Sequence, residues 1–88
     1  MSMSMEIAKV REAVRKYNTL RCSFKVEEHT FDSIRITFTM DKTRSCDYCI
    51  SRYEVLALPQ CVLEDIMFKV QEDAISDMLS LGPPANDL

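Results

Sequence analysis

The stretch Leu20-Arg-Cys-Ser-Phe-Lys-Val-Glu27, followed after Glu28-His-Thr-Phe-Asp32 by Ser33-Ile-Arg-Ile-Thr-Phe-Thr-Met40, alternates apolar and polar side chains twice over. A period of two places Leu20, Cys22, Phe24 and Val26 on one face of a strand, with Arg21, Ser23, Lys25 and Glu27 on the other. In the second run Ile34, Ile36, Phe38 and Met40 share the inward face, and Ser33, Arg35, Thr37 and Thr39 the outward one. The short connection predicts antiparallel pairing.

Upstream of this pair the period changes. Ser4 supplies an N-cap, and Ile7, Val10, Val14 and Tyr17 recur at helical spacing, which predicts a first helix over about residues 5 to 18. Downstream, Asp41 to Ser45 reads as a charged loop and residues 46 to 56 as a third strand. The apolar parity shifts between Ile50 and Tyr53, and a bulge near Ser51 and Arg52 would bring both sides of the shift to the core. Pro59 suits the first turn of a second helix, Glu64 and Asp65 complement its N-terminal dipole, and Gly82-Pro83-Pro84 stops it. That helix covers about residues 59 to 81, and residues 83–88 read as a flexible tail to a single domain over 1–82.

The order α-β-β-β-α specifies an α+β fold, a three-stranded antiparallel sheet with two helices packed on one face. Double-stranded-RNA-binding domains share this order. The resemblance is topological only, because their glycine-rich and basic signatures are missing here and the second helix begins with acids.

Composition narrows the chemistry. The 88 residues include one glycine, Gly82, so the glycine-rich loops that cradle phosphates have no place in the body of the chain. With one histidine, His29, a zinc site of two histidines is excluded, and an imidazole-activated nucleophile would depend on that residue alone. His29 lies among Glu27, Glu28 and Asp32 and reads as a solvated loop residue. Cys46-Asp-Tyr-Cys49 has a spacing that can serve a metal or a redox pair, with Cys22, Cys61 and His29 as the further ligands. No second ligand pair accompanies it, so the four cysteines read as reduced, small apolar residues. No catalytic residue, cofactor or metal is assigned. No apolar run approaches a membrane span, and no leader or lipidation signal is read, so a cytoplasmic, reducing compartment is expected.

Two surfaces remain as binding candidates. The outward sheet face carries Arg21, Lys25 and Arg35, with Arg44 and Arg52 nearby, a pattern able to track a nucleic-acid backbone. The second helix carries two apolar stripes. Leu63, Ile66, Met67, Val70, Ala74, Met78 and Leu81 suit the sheet, while Cys61, Phe68, Ile75 and Leu79 fall nearly opposite and form a seam for the first helix or another molecule. Asp65, Glu72, Asp73 and Asp77 border that seam, and no cation follows the last two to offset the negative end of the helix.

Residues 1 to 52 hold ten Lys/Arg against seven Asp/Glu, a net +3, whereas residues 53 to 88 hold one against seven, a net −6. The leading expectation is therefore a small non-enzymatic interaction protein, homodimeric through the second helix, that binds a larger protein with a basic surface as inhibitor or modulator. In size and character alone it resembles the small acidic inhibitors that phages and mobile elements direct at host machinery, defence complexes included. The alternative is a nucleic-acid-binding accessory protein using the basic sheet face.

Overall fold

A computed structural model describes residues 4–80. Leu81, the Gly82-Pro83-Pro84 stop and the tail over 83–88 lie outside the described residues. The fold is α+β: α1 (Met5–Val14), a 3-10 turn (Arg15–Tyr17), β1 (Cys22–Thr30), β2 (Ser33–Met40), β3 (Arg44–Ser51), α2 (Arg52–Ala57) and α3 (Gln60–Ser80). The strands form one antiparallel sheet in the order β1-β2-β3. Among the described residues no helix is long and apolar enough to cross a membrane.

The alternation in the sequence becomes the two faces of the sheet. Phe24 pairs with Phe38, and Phe38 with Cys46, on the inward face, while Lys25, Thr37 and Asp47 form an outward row. Ile34, Ile36, Phe38 and Met40 are all buried, as central-strand residues under helices should be. Met40 closes the second hairpin by accepting from Thr43 N at 3.3 Å, with Asp41 and Lys42 both in the left-handed region at φ 55° and 63°.

Two expectations fail near the turns. Leu20 does not face inward: it is 99% exposed, and β1 begins at Cys22. The side chains of Asn18 and Thr19 accept from Phe24 N (2.7 Å), Cys22 N (3.1 Å) and Arg21 N (3.2 Å), and this local alternative to the ladder turns Leu20 outward. The third strand does not reach residue 56, and there is no bulge at Ser51 and Arg52. The β2–β3 register runs unbroken from Ser33↔Ser51 to Met40↔Arg44. Ser51 then caps α2, its hydroxyl accepting from Tyr53 N at 3.2 Å, and the change of parity is the change from strand to helix. The spacing Ser51-x-x-Glu54 is a capping-box signature that would have announced this helix.

α2 ends where Leu58, the residue before Pro59, is held extended (ψ 140°) because proline disfavours the helical region for its predecessor. Lys9 from α1 donates to Val55 O (2.7 Å) and Leu58 O (2.5 Å), supplying a cation and two hydrogen bonds to carbonyls at the end of α2.

α1 and α3 lie on the apolar face and run alongside each other: Gln60 Nε2 donates to Lys9 O at 3.1 Å, Lys16 pairs with Glu64 at 3.0 Å, and the Tyr17 and Phe68 rings meet tilted at 41° with centroids 5.8 Å apart. Beyond Phe68, α3 continues to Ser80 after α1 and its 3-10 extension have ended. The core is accordingly in two parts. A larger cluster joins α1, α2 and the first half of α3 to Val26, Ile34, Ile36 and Ile50. A smaller one sets Ala74 and Met78 on Phe38 and Met40.

Candidate functional site

The outward sheet face is not a basic surface. Arg35 donates twice to Glu27 (2.5 and 3.1 Å), Lys25 lies 3.6 Å from the same carboxylate, and Arg21 holds Asp41 in a bidentate pair at 2.8 and 2.9 Å. Asp47 accepts from Thr37 in the same layer. Three cations are thus set among three carboxylates. The Arg35 hydrogen bond holds Glu27 below its ordinary 4.5, and that of Arg21 holds Asp41 below 3.8, so both carboxylates are charged at neutral pH.

Arg44 and Arg52 are not on this face. Arg44 pairs opposite Met40 and so points to the helix layer, where it donates to Met78 O at 3.0 Å. It places a cation at the C-terminal end of α3, where the order of residues along the helix itself predicts none. Arg52 is largely buried at the start of α2, in ion pairs with Glu6 (3.3 Å) and Glu28.

The candidate ligand set is dispersed. Cys46 and Cys49, three apart on a strand, project from opposite faces, Cys46 toward Phe38 and Cys49 beside Arg35, so they cannot share one ion while β3 is intact. His29 is exposed where the β1–β2 register shifts between Glu28 and Thr30, and Cys61 is exposed at the start of α3. Among the described residues no three potential ligands cluster.

The seam of α3 divides along its length. Phe68 is half covered by Tyr17, whose hydroxyl also donates to Glu64 O at 3.3 Å. Ile75 packs partly on the Phe38–Met40 cluster, and Leu79 remains 65% exposed. The acids divide as well. Asp73 and Asp77 lie toward Tyr48 of β3, whose phenol is pushed above 10 by burial first and by Cys46 and these two carboxylates after it. Asp65 and Glu72 lie on the back of α3, beside the seam.

Where α1 has ended, Ile75 and Leu79 face Leu20, Cys22 and Met40 across an open groove of about 740 Å³, with Gln71 and Thr19 in its walls and Arg21 at its edge. A shallower depression on the outer side of the same stripe adds Glu72 and Ser76. The groove is therefore apolar at its base, with one acid, Glu72, on the outer side of the α3 stripe and Arg21, paired with Asp41, at the opposite edge. Leu20 lines the groove although its parity predicts a core position, and the side chains of Asn18 and Thr19 before it are the signal for its reversal. Phe31, an aromatic within an otherwise polar connection, is 93% exposed at the tip of the first hairpin.

No family model, no curated protein and no solved structure matches the chain.

Proposed function

We propose that the protein is a non-enzymatic interaction module that binds a larger protein through the groove between α3 and the start of β1, modulating or inhibiting it by occupying a surface. The carrying observation is that Leu20 and Leu79, both strongly exposed, flank a concavity floored by Cys22, Met40 and Ile75. Apolar side chains gathered around one concavity, rather than scattered singly, favour an occupant. Glu72 beside the groove, and the net negative charge of the chain from residue 53 onward, favour a partner with a basic surface, by steering it and by penalising acidic competitors. The neutral pairing on the outer sheet face gives nucleic acid no comparable stripe to follow.

Affinity capture from the native host with mass spectrometry, using the wild type and a Leu20→Ser, Leu79→Ser variant, tests the reading. Both residues are exposed, so the variant is expected to melt with the wild type. A partner captured by the wild type and lost from the variant is the expected result, and equal capture by both overturns it. Sedimentation of the same two proteins separates the homodimer expected from the seam from a complex with a different protein.

A further inference from the structure

A second surface lies at the opposite end of the sheet and is independent of the groove. The turn Phe31-Asp32 exposes an aromatic ring where turns ordinarily carry small polar residues, and the ring is 93% exposed. The tip is rigidly held: Thr30 Oγ1 donates to Asp32 Oδ1 at 3.0 Å, Thr30 and Ser33 hydroxyls meet at 2.6 Å, and Asp32 O accepts from Arg52 N at 2.9 Å. That last bond ties the hairpin to the first residue of α2. α2 is anchored by the fully buried Val55, leaving Tyr53 70% and Leu56 48% exposed. Phe31, Tyr53 and Leu56 thereby wall a hollow of about 410 Å³ that also contains Glu6, Glu28, Asp32 and Arg52.

The charges decide what the hollow accepts. The one cation among the described residues of its lining, Arg52, is already in ion pairs with Glu6 and Glu28, and three carboxylates against one guanidinium leave the hollow negative. Glu28 keeps 60% of its side chain exposed. With Glu6 and Glu28 paired to Arg52, the excess charge centres on Asp32, exposed and hydrogen-bonded to the Thr30 hydroxyl. A neutral apolar ligand would leave it unanswered, and an acidic one would be repelled. A cationic side chain satisfies the carboxylates with its head while the aromatic faces take its charge and its stem. We infer that this hollow is a binding site for an arginine or lysine side chain presented by a partner protein. Because hairpin and α2 are locked together before binding, little ordering is required on association.

The site is read by following backbone amide shifts of the whole protein by NMR while titrating N-acetyl-arginine methylamide, with N-acetyl-norleucine methylamide as an uncharged probe. Saturable shifts at Phe31, Asp32, Tyr53 and Leu56 are expected with the arginine probe and not with norleucine. Phe31→Ser, which removes an exposed ring and leaves the fold intact, should weaken binding about fivefold. Equal response to both probes, shifts spread over the carboxylates of α3, affinity unchanged in Phe31→Ser, or no saturable shift with either probe overturns the assignment.

Discussion

The two ends of the sheet are covered unequally, and the difference explains where the molecule offers a surface. At the end holding the β1–β2 turn, α1, α2 and the first half of α3 converge on Ile34, Ile36 and Ile50. At the other, α3 alone covers Phe38 and Met40. The cause is a mismatch in length: the ten residues of α1 rise about 15 Å and the twenty-one of α3 about 31 Å. The helix that should close the second end stops too soon. An apolar stripe that would otherwise be core is left beside β1, whose exposed backbone is instead occupied by Asn18 and Thr19. The thick end contributes stability and a rigid platform, the thin end an open groove.

Truncating one core residue at each end should expose this asymmetry most strongly. Leu63→Ala at the thick end, fully buried, should cost about 3–5 kcal/mol, enough to unfold much of so small a domain, whereas Met78→Ala at the thin end should cost about 2 kcal/mol. Urea unfolding measures both, and equal losses would mean the two clusters behave as one core.

Arg52→Met removes the ion pairs that join the thick end's α1, β1 and α2, leaving the largely buried Glu6 uncompensated. A loss of about 2 kcal/mol is expected, less than for a wholly buried pair because Glu28 reaches solvent. Amide exchange should rise first in α2 and the hairpin tip, not in the second half of α3.

At the thin end a gain is available. Lys42 occupies φ 63° with a side chain that disfavours it, so Lys42→Gly should stabilise by about 1 kcal/mol in the same urea assay. A loss there would show that Lys42 makes a compensating interaction.

The smallest effect concerns pH. Glu27 and Asp41 have folded-state pKa values depressed by Arg35 and Arg21, so the stability of these pairs is whole above the ordinary values of 4.5 and 3.8. It drains as pH falls through the lower folded-state values. Arg35→Gln should flatten the acid limb of a stability–pH profile near those values and leave the neutral region little changed, since the pair is exposed.

Much of this architecture was legible in the residues. Both hairpin strands, α1 and the sheet-facing side of α3 follow from periodicity, because a helix or strand that buries one face must write that face into its spacing. α2 was present as Ser51-x-x-Glu54 but was hidden by a plausible strand alternation. The parity of Leu20 continues that of β1 and points it inward, while Asn18 and Thr19, which end the ladder, act through side-chain hydrogen bonds that no apolar pattern records.

The candidate sites were less legible, for a different reason. Sequence by itself determined that the chain is an α+β domain with a basic first part, an acidic second part and more apolar helix surface than one sheet can cover. It left the destination of each charge open, since long side chains are free to pair with any element that packing brings near. Tertiary structure alone decided that Arg44 reaches the end of α3, that Arg52 is locked between Glu6 and Glu28, and that the outer sheet face is neutral. It also decided which part of the second stripe stays open, because that depends on where α1 ends relative to α3, a register between elements far apart in the chain.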